Sequence, residues 1–140
     1  MPQNHASILA WQQEAQLPNV LPPLTLDMRA PAWPAPSFDA VFTANTCHIM
    51  AWPQVEQMFA GVGQLLPAGG VLCVYGPFNV GGHFTSAGNA QFDAALRQQA
   101  PQMGIRDVEA IDRLAAAAGL VLEADHAMPA NNRLLVWRRA

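Results

Sequence analysis

The chain has 140 residues, of which 51% are hydrophobic and 12% charged, so it has enough apolar surface for one folded domain and is not a disordered tail. Its formal net charge of −3 and its lack of any lysine exclude the dense basic face that a non-specific nucleic-acid binder needs. No apolar run approaches the ~18 residues of a membrane span, and the N-terminal residues lack the pattern of a signal peptide. Cys47 and Cys73 form no CxxC motif, which predicts reduced thiols in a cytoplasmic protein.

The first part of the chain predicts a short helix, a short strand and a loop. Ser7 is a candidate N-cap for the helix, and Pro18 ends it. A strand is predicted at residues 24–26, directly before Asp27, because the prolines just upstream cannot join a central ladder. Residues 30–37 contain three prolines and are predicted to form a loop.

The rest of the chain alternates short apolar runs with helical stripes of apolar residues. The predicted strands are residues 38–44, 71–76, 120–126 and 133–138, the last of them antiparallel. The predicted helices lie near residues 52–66, 89–99 and 108–118, the last with Asp107 as its candidate cap. The polar connections are residues 45–48, a long loop over residues 76–89, and the joint at residues 128–132.

This alternation predicts an α/β fold in a single domain, residues 1–140, with a doubly wound, mostly parallel sheet and an antiparallel last strand. In such sheets, ligands bind beyond the carboxyl ends of the strands. Four polar clusters are predicted at those ends: Asp27, Asn45–His48, Gly76–His83 and Pro129–Asn132. This edge of the sheet is therefore the predicted site.

Particular segments carry a family resemblance. Asp39–Phe42, Asn45 with His48, and Leu65–Gly70 ahead of a strand resemble the second half of class I S-adenosylmethionine-dependent methyltransferases. Six segments resemble, more narrowly, the methyltransferase-like family catalogued as domain of unknown function 938: Asn19–Pro23, Ala44-Asn45 with His48-Ile49, Tyr75–Phe78, Asn89–Asp93 with Leu96-Arg97, Gly104–Asp107, and Met128–Asn132. The resemblance runs nearly end to end and implies a Rossmann-like, incomplete class I methyltransferase fold with S-adenosylmethionine as cofactor.

The chain also departs from the class I pattern. Those enzymes hold the methionine part of the cofactor on a glycine-rich loop after the first strand, and the ribose on an acid that ends the second strand. This sequence has neither, and it begins about where the helix after the second strand would begin. Its only GxG, Gly61–Gly63, lies inside a helical pattern without a preceding strand. We therefore expect that the N-terminal cofactor-binding part is absent and that this chain binds S-adenosylmethionine weakly or not at all.

The resemblance implies cofactor-binding and catalytic roles for four residues. Asp27 would accept from the adenine amino group, or else be a plain turn residue, and Asn45 would lie beside the cofactor. His48 would act as a base near neutral pH, or else brace its loop, and Tyr75 would shape the acceptor side. Cys47 is not expected to form a thiolate pair with His48, because neighbouring side chains point apart.

The acceptor side is predicted to be formed by Asn79, His83, Asn89, Arg97, Arg106, Asn131 and Asn132. Instead of lining the acceptor pocket, Asn89 could cap a helix. Asp93 could likewise belong to a solvated helix face, and Asn131 and Asn132 could form a tight turn. Arg97 and Arg106 either grip an anionic acceptor as guanidinium forks or brace Asp93 and Asp107 internally. Four scattered histidines without HxH or HxxxH spacing predict no metal site.

Three functions stay open. The first is a methyltransferase with a small-molecule acceptor of unknown identity, in which case this chain alone is either active or inactive. The second is a non-catalytic binding or interaction module that uses its incomplete sheet, and the third is an unrelated small α/β ligand-binding domain. No nucleic-acid or membrane partner is expected. Because strand 38–44 would lack a neighbour on one side, we expect one of two outcomes. Either the sheet closes within the monomer, with residues 24–26 or another segment in the vacant place, or the protein self-associates through the exposed edge.

Overall fold

The computed structural model of the protein describes residues 2–30, 33 and 38–140. The chain divides into two compact units, Met1–Trp33 and Pro34–Ala140, which are described separately. Among the described residues, none of the helices has the length and apolar character needed to cross a membrane.

The first unit contains helix α1, His5–Ala15, preceded by a 3-10 turn at Pro2–Asn4. Asn4 occupies the N-cap position, so the predicted capping role of Ser7 is wrong. Because the 3-10 turn leads directly into the α-helix, the helix begins before Ser7, which therefore lies inside its first turn. As predicted, the helix stops ahead of Pro18.

The strand predicted at residues 24–26 is wrong. These residues have no strand pairing, Leu24 is 68% exposed, and Asp27 therefore ends no strand. Asp27 forms a turn instead, in which its Oδ1 accepts a hydrogen bond from the backbone N–H of Arg29 at 3.0 Å. The described part of the first unit offers no strand with which this segment can pair. Most of the predicted loop at residues 30–37 lies outside the described residues.

The second unit contains the sheet, and all four strands predicted there are present with shifted ends. The strands are β1 (Ala40–Ala44), β2 (Val71–Asn79), β3 (Arg106–Asp107), β4 (Leu120–Met128) and β5 (Asn132–Arg139). The helices are α2 (Trp52–Leu65), α3 (Ala87–Gln99) and α4 (Val108–Ala117).

The main path of the sheet has the order β1-β2-β5-β4, and the short strand β3 also pairs with β2. β1 and β3 run parallel to β2, whereas β5 runs antiparallel to both β2 and β4. β1, β2 and β4 therefore share one direction, and the last strand opposes them. This confirms the predicted α/β fold with a mostly parallel sheet and an antiparallel last strand.

Strand β2 runs three residues beyond its predicted end. It continues because β5 pairs with it as far as Pro77, and β3, which was not predicted, pairs with Phe78 and Asn79. The predicted loop at residues 76–89 is correspondingly shorter. It contains a tight two-residue turn between Val80 and His83, whose central residues Gly81 and Gly82 have φ of 57° and 76°, a conformation that glycine adopts without strain.

The core joins α2, α4 and the sheet through Trp137. This fully buried ring packs edge to face against Phe59 of α2, with ring centroids 5.7 Å apart, and its Nε1 donates to Asp112 of α4 at 2.9 Å. A Cβ built on Gly63 would lie 2.9 Å from the Cβ of Ala118, so this glycine lets α2 approach the end of α4. The GxG at residues 61–63 is thus a helix-packing feature.

Candidate functional site

A cavity of about 590 Å³ lies at the carboxyl ends of β1 and β2, beside α3 and the β4–β5 turn. Three of the four predicted polar clusters contribute to its wall. Five of the predicted site residues line it: Asn45, His48, Asn89, Asn131 and Asn132.

Four further lining residues were not predicted as site residues: Pro77, Gly88, Phe92 and Ala130. Phe92 was available to sequence reasoning, because residues three apart on a helix are neighbours and Asn89 was already a candidate. Ala130 lies inside the predicted cluster Pro129–Asn132, but an alanine carries no chemical signal that would single it out as a site residue.

His48 is buried, and its ring meets Phe92 edge to face with centroids 5.3 Å apart. Its backbone carbonyl accepts a hydrogen bond from the N–H of Gly104 at 2.9 Å. Burial lowers the pKa of His48, and the nearby charge of Arg106 lowers it further. The imidazole is therefore neutral at physiological pH and able to accept a proton.

Arg106 fixes the turn that carries His48. Its Nε donates to the carbonyl of Cys47 at 3.2 Å and its Nη2 to the carbonyl of Met50 at 2.7 Å, while its guanidinium stands 5.7 Å from the centre of the Trp52 ring. The predicted partner, Asp107, is not the group that Arg106 holds. These contacts agree with the predicted role of Arg106 as an internal brace, but the groups it binds are backbone carbonyls of a loop and not a carboxylate.

Arg97 braces Asp93, as one of its two predicted roles requires. Its Nε donates to Asp93 Oδ2 at 2.7 Å, and the backbone N–H of Ile105 donates to Asp93 Oδ1, also at 2.7 Å. Burial alone would raise the pKa of Asp93, but these hydrogen bonds together outweigh it and hold the pKa below its usual range. The prediction of a solvated helix face for Asp93 is wrong, because this side chain turns inward to bind the loop after α3.

Asn89 joins α3 to the β4–β5 turn. Its Nδ2 donates to the carbonyl of Asn131 at 3.1 Å and to Thr85 Oγ1 at 2.9 Å. The alternative role of Asn89 as helix cap is wrong: Ser86 is the cap, and its Oγ accepts from the backbone N–H of Asn89. The Asn89 side chain is thereby left to form part of the cavity wall.

Three residues on the cavity wall have left-handed backbone conformations: Asn45 with φ 57°, Ala130 with φ 58° and Asn131 with φ 57°. Asparagine tolerates this region, but for alanine it costs about 1–2 kcal/mol. Such strain persists only where surrounding contacts hold it, and it concentrates at functional sites. Here, the Asn89 hydrogen bond to Asn131 is one of the contacts that hold the turn.

The other predicted site residues are not among those that line the cavity. Tyr75 lies on β2, on the same face as the lining residue Pro77. Asn79 ends β2, and its buried Oδ1 has no partner in the described structure. His83 is exposed on the two-residue turn, and Asp27 belongs to the first unit.

Cys47 is an unsuitable nucleophile. Cys47 directly precedes His48 in the sequence and is buried, and this burial raises the pKa of its thiol to about 11. It therefore stays protonated at neutral pH. The described residues contain no group of three or more His, Cys, Asp or Glu side chains placed to hold a metal ion.

A second cavity, of about 460 Å³, lies between α2 and α4 at the opposite edge of the sheet. Gly63, Ala118 and Gly119 form part of its wall, with Glu56 and Arg139 as its charged residues. None of the predicted site residues lines it. The cavity at the carboxyl edge is therefore the better candidate for a functional site.

Solved methyltransferase structures share this fold. An O-methyltransferase family protein from Burkholderia thailandensis matches with a TM-score of 0.79 at 16% identity, over 100% of this chain and 42% of that chain. An O-methyltransferase family 2 protein from Planctomyces limnophilus, solved with apigenin, matches with a TM-score of 0.72 at 21% identity, over 81% of this chain and 33% of that one. Human N-acetylserotonin methyltransferase, solved with S-adenosylmethionine, matches with a TM-score of 0.69 at 15% identity, over 84% and 33%.

The protein thus has a class I methyltransferase-like fold, and it spans between 33% and 42% of the length of these three chains. Residues 1–139 match the family model described as Protein of unknown function (DUF938). The chain belongs to this family, which confirms the resemblance seen in its sequence.

Proposed function

We propose that the protein is a cytoplasmic S-adenosylmethionine-dependent methyltransferase whose small-molecule acceptor binds in the cavity around His48. The observation that carries this proposal is the position of His48, a buried and neutral imidazole on a cavity wall at the carboxyl edge of a class I methyltransferase-like sheet. Chains with this fold include human N-acetylserotonin methyltransferase, solved with S-adenosylmethionine, and CalO1, solved with S-adenosylhomocysteine. Both cysteines are free thiols, as in most cytoplasmic proteins.

The chemistry requires little of the protein beyond alignment and one proton transfer. S-adenosylmethionine, when bound, supplies a methyl group attached to a positively charged sulfur. The bound cofactor would transfer this methyl group to an oxygen or nitrogen of the acceptor, and His48 would take the proton that the acceptor loses. Arg106 and Gly104 hold the turn that presents His48, through hydrogen bonds to three of its carbonyl groups.

The described residues fit the cofactor only in part. Asn45, directly after β1, has a left-handed backbone conformation. Gly76 on the neighbouring strand lacks a Cβ and so leaves room beside the Asn45 side chain. In the described part of the chain, no strand precedes β1 and no glycine-rich turn follows such a strand. The cofactor contacts offered by the cavity region therefore come chiefly from Asn45, so binding by this chain should be weak.

Methyl transfer to a panel of small acceptors tests the proposal, with labelled S-adenosylmethionine held above its dissociation constant. The His48→Gln variant should lose about 100-fold or more of the transfer rate, because it cannot accept the proton. His126→Gln is the matched control, since His126 is exposed on β4 and does not line the cavity. Melting temperatures show whether each variant is folded. Absence of transfer by the wild type, or full activity of His48→Gln, would contradict the proposal.

A second candidate function is a binding or interaction module, and strand β1 favours it. In the described structure, β1 pairs only with β2, and Phe42 on it is 68% exposed. The carbonyl of Asp39 and the N–H of Asn45 both form hydrogen bonds with β2. In a parallel ladder, every second residue of a strand bonds to the same neighbour, so the N–H and C=O groups of Phe42 point away from β2. Such an edge accepts a further strand, including one from a second copy of this chain. Wild-type protein without transferase activity but with edge-dependent association would support this candidate.

A further inference from the structure

The described lining of the carboxyl-edge cavity contains no Asp, Glu, Lys or Arg. Its polar groups are the side chains of four asparagines and of His48, whose pKa is lowered by burial and by the charge of Arg106. The wall therefore offers hydrogen bonds without a formal charge at neutral pH. A charged ligand would lose hydration on entry and meet no counter-charge on this wall.

The two arginines predicted to bind an anionic acceptor, Arg97 and Arg106, are engaged elsewhere. Arg97 forms two hydrogen bonds with the Asp93 carboxylate, at 2.7 and 3.2 Å. Arg106 donates to the carbonyls of Cys47, Met50 and Gln102. Recruiting either guanidinium for an anionic ligand would break a carboxylate pair or release the His48 turn. The sequence left open that Arg97 and Arg106 bind an anionic acceptor, and the hydrogen-bond partners of both arginines disfavour that role.

The cavity wall also carries one aromatic ring that is partly exposed. Phe92 is 41% exposed although it lines the cavity and contacts the buried ring of His48. A partly exposed aromatic ring in a concave site favours a planar ligand that stacks on it or meets its edge. Both side-chain N–H groups of Asn89 are used by Thr85 and Asn131, so this side chain can offer a ligand only its Oδ1, as an acceptor.

We propose that this cavity selects an uncharged, planar acceptor that carries a hydrogen-bond donor, and that it discriminates against carboxylate, phosphate and ammonium groups. The inference rests on the proposed function, since it names the acceptor class of the same site. It follows from the composition of the wall, from the partners of Arg97 and Arg106, and from the partial exposure of Phe92.

Three probes of nearly equal shape isolate the effect of charge: 4-hydroxybenzamide, 4-hydroxybenzoate and 4-hydroxybenzylamine, which are neutral, anionic and cationic at pH 7.5. Binding to the full chain is measured by amide chemical-shift changes without any cofactor. The neutral probe should bind at least about 10-fold more tightly than either charged probe, which corresponds to about 1.4 kcal/mol. Its shift changes should centre on Asn89, Phe92 and Asn131.

A variant that places a cation on the wall should reduce or abolish the preference for the neutral probe over the anionic one. In Asn132→Arg, the affinity of the anionic probe should rise about 10-fold relative to that of the neutral probe. Val121→Arg is the matched control, because Val121 is exposed on β4 and lies outside the cavity lining, and it should leave all three affinities unchanged.

Equal or tighter binding of 4-hydroxybenzoate by the wild type would overturn the inference, and so would binding of none of the probes at millimolar concentration. These outcomes are separate from those of the proposed function, because no methyl transfer is measured. Selective binding of the neutral probe without transferase activity would sink the proposed function alone. Transferase activity with preference for anionic acceptors would sink the inference alone.

Discussion

The Nη2 atom of Arg106 donates a hydrogen bond to the backbone carbonyl of Met50 at 2.7 Å. This contact ties the first residue of β3 to the turn after β1, across 56 positions of sequence. Together with the hydrogen bond to Cys47, it fixes the backbone on both sides of His48. The geometry at His48 therefore depends on a side chain outside the cavity lining.

Replacing Arg106 with Gln should loosen this turn and change the titration of His48. The folded pKa of His48 lies below the ordinary 6.5, so its neutral form contributes stability above pH 6.5 that is lost as the pH falls through the lowered value. Without the Arg106 charge, the pKa should rise toward 6.5, although burial still holds it down. The loss of the charged hydrogen bonds should cost about 1.5–3 kcal/mol of unfolding free energy.

Histidine proton shifts against pH and urea unfolding measure both effects. Arg113→Gln serves as control, since it removes one positive charge from an exposed position on α4. A His48 pKa that is unchanged in Arg106→Gln would show that Arg106 does not govern this imidazole.

Replacing Asp93 with Ala should destabilise the protein by about 2–3 kcal/mol, because the buried N–H of Ile105 loses its acceptor. Asp93→Asn keeps an acceptor and loses only the ion pair with Arg97, whose side chain is 52% exposed, so its cost should be about 1 kcal/mol.

The folded pKa of Asp93 is depressed, so its carboxylate contributes stability above the ordinary 3.8 that disappears as the pH falls below it. Urea unfolding of both variants at pH 7 and pH 3 should show the difference between wild type and Asp93→Asn shrinking at the lower pH. An equal penalty at both values would be inconsistent with this role.

Self-association should occur through the free edge of β1. Phe42→Lys places a charge on this edge and should abolish any concentration dependence of the molar mass. Val121→Lys adds the same charge on β4, the opposite edge strand, and should leave association intact. Size-exclusion chromatography with light scattering at several concentrations measures this. A wild type that stays monomeric, with slow exchange of the Phe42 amide, would rule out an open edge.

Gly63→Ala should destabilise the protein by about 1–3 kcal/mol, because the added methyl group collides with the carbonyl oxygen and Cβ of Ala118. Gly88→Ala is the control: its Cβ would meet only Ser86 Oγ, at 3.7 Å, so thermal unfolding should show no loss. Equal melting temperatures for the two variants would mean that α2 and the end of α4 separate easily.

The sequence predicted the sheet of the second unit well because its strands are continuous apolar runs, as at Val71–Tyr75, and need little context to recognise. It failed at residues 24–26, where an apolar run finds no pairing strand in the described part of its unit. A strand depends on a neighbour that a local pattern does not contain. β3 was missed for the same reason, since its two residues are a strand only because Phe78 and Asn79 lie beside them.

The candidate site was predictable in position rather than in detail. The rule that ligands bind at the carboxyl ends of parallel strands placed Asn45, His48 and Asn131 together, and the structure brings them to one cavity. The partners of Arg106 were not predictable, because they are backbone carbonyls, which every residue has. Similarly, the inward turn of Asp93 depends on the backbone path at Ile105, which residue type does not determine.

Titration of the isotopically labelled chain with S-adenosylmethionine, followed by amide chemical shifts, tests most directly whether the cofactor binds at the carboxyl edge of the sheet, where the acceptor cavity lies. We expect shift changes at Asn45, His48 and Gly76, and a dissociation constant on the order of 1 mM, equivalent to about −4 kcal/mol. Changes centred on the cavity between α2 and α4, or none at several millimolar, would contradict the account. A micromolar dissociation constant would show that the cofactor site is built differently from the one proposed.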